Sequence, residues 1–289
     1  LSNLFGLVKF YQSAYKKGIK PVLGCDVWIT NETDRNKPTR MLLLCQNHVG
    51  YLRLSRLLSR AYRENQHQGR AEIRTAWLHP DESGTDGLIA LSGARFGDIG
   101  LSIALGNMHQ AESQAQQWAQ MFPDRFYIEI QRDGHPNDAI LVQQSLLLAR
   151  TFNLPVVATQ AVQFLNAEDY RAHEARVCIA EGYILEDKRR PREFTEQQYF
   201  KTQAEIAELF ADIPNALANT LEIAKRCNLT LELGVNRLPE FPTPNNESLD
   251  LYLRSQAEAG LLQRMENLFP EAELRNGNMP QYLARLDFE

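Results

Sequence analysis

The sequence predicts an α/β fold in which near-continuous apolar strands form a parallel sheet, open or closed into a barrel, with amphipathic helices on its faces. Three observations carry that prediction. Short apolar runs recur along the first half of the chain, at residues 21–29 (PVLGCDVWI), 41–45 (MLLLC), 87–92 (GLIALS), 125–131 (RFYIEIQ) and 155–159. Stretches with helical spacing separate most of them, and from about Ala167 the strand signal gives way to helices.

The elements follow in order. Leu4, Leu7, Val8, Tyr11 and Tyr15 recur at helical spacing over 4–17, and Gly18 closes that helix. The strand at 21–29 is followed by a polar turn and the run 41–45. A helix over 48–63 places Tyr51, Leu54, Leu57, Leu58 and Tyr62 on one side. Helices near 107–122 and 136–152 alternate with the remaining strands. Beyond Ala167, helices are expected at 169–181, 202–211, 216–227 and 249–269, and RRPR (189–192) and LPEFPTP (238–244) are the expected connectors. The chain opens on Leu1 and stops in the helical sequence QYLARLDFE, so both ends read as cut.

Composition narrows the function. With 289 residues and 44% hydrophobic content the chain can bury a large core. A formal charge of -5 gives no global basic footprint, so any contact with nucleic acid must be local. Four scattered cysteines without a C-x-x-C pair disfavour a zinc ribbon or a disulfide framework and fit a reducing cytoplasm. No run approaches the roughly 20 apolar residues of a membrane helix.

In such folds chemistry collects at the C-terminal ends of the strands. Asp26 ends the first strand and reads either as a metal ligand or as a solvated acid. Glu129 alternates with Ile128 and Ile130, so it faces away from them, into a polar interior or onto solvent. His135 lies in the loop after that strand, where a base, a ligand or a plain surface histidine could sit. His173, in YRAHEARVCI, lacks the H-E-x-x-H spacing and reads as structural. Ser92-Gly93-Ala94 is a turn without a nucleophile elbow, and Arg95 between Gly93 and Gly97 is neither a Walker A nor a dinucleotide fingerprint. KRRPR (188–192) is the one dense basic cluster, a solvated linker or a contact for phosphate or an acidic partner. The run LPVVATQAVQF offers Gln160, Ala161 and Gln163 where a metal site would want stronger donors.

The blocks SNLFGLVKFY, GIKPVLGCDV, LLLCQNHVGYLRLSRLLSRAY, LSGARFGDIG, FPDRFYIEIQRDG, LPVVATQAVQF and AHEARVCIAEGYILED, in this order, resemble the PHP (polymerase and histidinol phosphatase) domain of bacterial replicative DNA polymerase III alpha subunits. ELFADIPNALANTLEIAKRCN and LPEFPTP resemble the segment joining that domain to the polymerase core. The resemblance implies a distorted seven-stranded β/α barrel over 1–188, without its first elements, then a helical connector and the beginning of the palm and thumb region over 189–289. An unclosed barrel would leave edge strands exposed.

The resemblance also implies that the family's metal site is degenerate here. The acidic position survives as Asp26, but Arg40 stands for a histidine, Ala94 for a cysteine, and Ala161 and Gln163 for the late aspartate and histidine. Arg40 would then pair with Asp26 or Glu129 in place of a bridging metal. On this reading the segment needs no cofactor and supplies no catalysis. It would support the rest of the alpha subunit and dock a proofreading exonuclease subunit. The parent would use Mg2+ at carboxylates beyond Glu289, and would meet primer-template DNA, the sliding clamp and the clamp loader. The competing expectation is a metal-dependent phosphoesterase or 3′-5′ exonuclease with relocated ligands Asp26, Glu129, His135 and His173.

Overall fold

The structure is a computed structural model that describes residues 1–289 except 83, 188, 237, 239, 240 and 245. Its described residues divide into two compact units, Leu1–Leu231 and Glu232–Glu289.

The first unit is built on one seven-stranded sheet in the order β3-β4-β1-β2-β5-β6-β7. Its strands are β1 Gly24–Ile29, β2 Thr39–Cys45, β3 Gln66–His67, β4 Arg70–Ile73, β5 Leu88–Leu91, β6 Phe126–Gln131 and β7 Val156–Thr159. The short β3–β4 hairpin has no apolar run of its own and escaped the sequence pattern. The sheet is mixed, not parallel: β2 runs antiparallel to both β1 and β5, whereas β4–β1, β5–β6 and β6–β7 pair in parallel. The cause is the link between β1 and β2, a short polar turn that cannot make the helical crossover a parallel neighbour requires.

Pleating sorts the side chains. On β1 and β2 the odd-numbered residues Cys25, Val27, Ile29, Met41, Leu43 and Cys45 are buried, and the even-numbered ones are half-buried on the other face. The odd face joins the main core under α1 (Leu7–Lys16), α2 (His48–Glu64), α3 (Asp98–Ala104), α4 (Met108–Met121) and α5 (Asp138–Thr151). Along α1 the buried positions Leu7, Tyr11 and Ala14 keep the expected spacing. Asn47 caps α2, its side chain accepting from the Gly50 amide.

The inner face of the sheet has a floor of Leu42, Leu44, Ile89, Leu91, Tyr127 and Val157. After α6 (Tyr170–Glu181) and α7 (Gln203–Leu209), the helix α8 (Pro214–Arg226) lays Ile223 and the following Cys227 on that floor. Asn219 donates to the Val156 carbonyl, and Arg226 donates to the Tyr127 hydroxyl. The first compact unit therefore runs to Leu231, past the 188/189 boundary read from the sequence, because α7 and α8 bury their apolar faces on the sheet. RRPR lies inside this unit. Residue 188 of KRRPR and residues 239 and 240 of LPEFPTP lie outside the described residues.

The helices of the second unit are α9 (Leu249–Leu268) and α10 (Ala272–Phe288), joined by three residues. Phe269 packs edge-on against Tyr282, and Arg254 pairs with Asp287.

Candidate functional site

A cleft of about 580 Å³ opens above the inner floor. Asp26 and Trp28 from β1 and Arg40 from β2 line one side; Glu129 and Gln131 from β6 and Thr159 from β7 line the other. The pleat that buries the odd residues of β1 and β2 turns Asp26 and Arg40 to this side.

Of the two arginines that line the cleft, Arg40 and Arg95, the one beside Asp26 is Arg40. Its guanidinium forms a salt bridge with Asp26, the two side chains being 25% and 33% exposed. It also lies 4.7 Å from the centre of the Phe96 ring and 5.9 Å from that of Trp28. Arg40 thus fills the strand mouth with a fixed positive charge.

Glu129 is buried on the far side. Its carboxylate accepts from the Gly93 amide at 3.0 Å, from Gln131 Nε2 at 3.2 Å and from the Thr159 hydroxyl. Burial pushes its pKa up, opposed by the Thr159 hydrogen bond; Asp26 pushes it up further, and the Gly93 amide and Arg40 pull it down. The Gly93 amide reaches Glu129 because Gly93 has a φ of 80° and its backbone presses on β2, where a Cβ would meet the Arg40 carbonyl at 2.2 Å. Ala94 follows with φ 45° and carries no donor side chain.

The segment after β7 brings Ala161 and Gln163 to the cleft wall without making them ligands. Gln160 donates to the Tyr199 carbonyl at 2.8 Å, and the Gln163 amide donates to the Gln198 carbonyl at 2.8 Å. This strand end is tied to the 197–201 segment.

The two histidines lie elsewhere. His135 borders the start of α5, its amide donating to Asp138 at 3.0 Å, and it does not line the cleft. His173 is buried between Phe164 and Phe194, with Nδ1 3.1 Å from Arg176; burial and the Arg176 charge push its pKa down. The set Asp26, Glu129, His135 and His173 does not converge: Asp26 and Glu129 line the cleft and the two histidines do not. Among the described residues no group of three or more His, Cys, Asp and Glu is placed to hold a metal ion. The donors that do face the cleft fit a divalent cation poorly, since Asp26 is bound to a guanidinium and Glu129 already accepts from three donors.

Two features were hidden in the sequence. Arg95 grips the buried Asp133 with two bonds of 2.9 and 2.8 Å, and Gln198 adds a third at 3.2 Å. The anion that Arg95 holds is thus a side chain of the same protein. Arg190 of the basic cluster pairs with Glu174 at 2.5 Å, both buried, and Arg189 pairs with Asp187. Two cations of the cluster thus meet carboxylates of the same protein.

Residues 1–133 match the PHP domain family. Along its whole length the chain is 47% identical to a DNA polymerase III subunit alpha of Neisseria meningitidis serogroup A, 44% to that of Pseudomonas aeruginosa and 41% to that of Escherichia coli K12. It covers 25%, 24% and 24% of those proteins, so the chain spans about a quarter of the length of the curated relatives it matches. The chain carries a PHP domain and aligns with the N-terminal part of these subunits.

Proposed function

We propose that this PHP domain has exchanged metal-dependent phosphoester chemistry for a structural role at the N-terminal end of a replicative DNA polymerase III alpha subunit. The observation that carries the reading is Arg40, ion-paired with Asp26 in the cleft where the family resemblance puts a metal. A guanidinium there repels a divalent cation and occupies the carboxylate such an ion would need. The domain then works as a support for the rest of the subunit and as a docking platform for the proofreading exonuclease subunit. DNA-templated synthesis with Mg2+, and contacts with primer-template DNA, sliding clamp and clamp loader, belong to the whole subunit in the cytoplasm.

The test is calorimetric titration with Mn2+ and Zn2+, alongside hydrolysis of a phosphodiester and of a DNA 3′ end. The chain is expected to bind neither ion stoichiometrically. A variant carrying Arg40→His, Ala94→Cys, Ala161→Asp and Gln163→His is expected to gain binding. Tight metal in the unaltered chain, with hydrolysis abolished by Asp26→Ala, would overturn the proposal. Co-elution with the exonuclease subunit tests the docking role, and no complex at micromolar concentrations would remove it.

A further inference from the structure

A second, enclosed space lies behind the cleft. It is a cavity of about 20 Å³ between the C-terminal ends of β5 and β6 and the helices α3 and α5, and it shares Arg95, Glu129 and Gln131 with the cleft wall. Its apolar lining comes from Ile99 on α3, Ile130 on β6, and Leu141 and Val142 on α5.

Three polar groups on that wall are incompletely satisfied by the protein. Ser145 on α5 is only 7% exposed, and its hydroxyl has no hydrogen-bond partner among the described residues. Ser92 is buried as well; its hydroxyl oxygen accepts from the Glu129 amide at 2.9 Å, but its proton has no acceptor among the described residues. Gln131 directs its Nε2 to Thr159 at 2.9 Å and to Glu129 at 3.2 Å, which leaves its buried Oε1 without a partner. Buried hydroxyls and carboxamides left unpaired in a dry interior are costly, and the apolar neighbours cannot relieve them. A volume of about 10–15 Å³ by this measure suffices for one water, which needs about two to four polar partners.

We propose that this cavity is the binding site of one internal water molecule, which accepts from the Ser92 and Ser145 hydroxyls and donates to Gln131 Oε1. The carboxylates of Glu129, Asp133 and Asp138 on its wall already accept from other donors, which disfavours a cation. An apolar occupant would leave all three groups unpaired. The water holds the Gln131 carboxamide from behind, so that Nε2 stays turned to Glu129 and Thr159 and braces the buried carboxylate of the cleft. The inference is independent of the fate of the metal site.

The test is a high-resolution crystal structure of the 289-residue chain, together with urea midpoints of two serine variants. Density for one water is expected in the cavity, within hydrogen-bond distance of Ser92, Gln131 and Ser145. Ser113, exposed within α4, supplies the control, because Ser113→Ala reports the gain in helix propensity alone. Ser145→Ala also removes a partner of the water and is expected to give a lower midpoint than Ser113→Ala. In a dry cavity the same change would delete an unpaired hydroxyl and give a higher one. The proposal is overturned by a cavity without density, by an ion recognised from its shorter contacts to oxygen, or by a Ser145→Ala midpoint at or above that of Ser113→Ala.

Discussion

Replacing Arg40 by Met removes the cation paired with Asp26 and keeps most of the apolar stem. The Arg40 and Asp26 side chains are 25% and 33% exposed, between a surface pair worth about 0.2–1 kcal/mol and a buried pair whose breaking costs about 3–5 kcal/mol. An intermediate loss of about 1.5 kcal/mol follows, and the lost contact with Phe96 adds about 0.5 kcal/mol. Arg40→Met should therefore destabilise by about 2 kcal/mol, Asp26→Asn by about 1 kcal/mol, and the double variant by less than their sum, with a coupling of about 1 kcal/mol. Urea denaturation followed by tryptophan fluorescence suits the measurement, because Trp28, Trp77 and Trp118 all lie in the first compact unit and report on it alone. Additivity within about 0.3 kcal/mol would refute the claim that this ion pair holds the strand mouth.

Two further outcomes follow. Glu129 has a folded pKa raised by burial, so its contribution is fully present below the ordinary carboxylate pKa of 4.5 and is lost as pH rises through the folded value. Relative to the unaltered chain, Glu129→Gln should gain in urea midpoint between pH about 5 and 8, and a pH-independent difference would contradict the assignment. The Arg190–Glu174 pair is only 7% and 3% exposed, so Arg190→Met should lower the urea midpoint clearly more than Arg189→Met, whose side chain is 90% exposed. Equal costs in denaturation would show that the burial of Arg190 carries no energetic weight.

Much of this fold is legible because its signals are local. Five of the seven strands are apolar runs, and α1, α2, α4 and α5 show helical spacing, so each announces itself within a dozen residues. Strand direction is not local. The turn from β1 to β2 carries no crossover helix, and that absence, more than any residue, makes the sheet mixed. Pleating has a fixed period, so the sequence puts Glu129 opposite Ile128 and Ile130 but leaves open whether that side is a polar interior or solvent, and His173 could not be placed without knowing which way α6 packs. The pairings Arg95–Asp133 and Arg190–Glu174 join residues far apart in the chain, and nothing in the local sequence distinguishes a buried arginine from a solvated one.

On the proposed reading, the crosslinking that a metal centre gives to strand ends is shared here among protein groups. Arg40 and Asp26 join β2 to β1; Glu129 joins the turn after β5 to β6 and β7 through the Gly93 amide and the Thr159 hydroxyl; Arg95, Asp133 and Gln198 fasten the outer rim. Gly93, pressed on the Arg40 backbone, connects the first two of these links. Each link contains one of the groups a metal would need or its close neighbour. On that reading, Arg40→His alone would unpair Asp26 and still leave alanine and glutamine at the three other positions the resemblance assigns to donors, so stability falls before any ion can repay it. The route back to a metal site is cooperative, which makes the four-residue reversion informative where single reversions are expected only to destabilise.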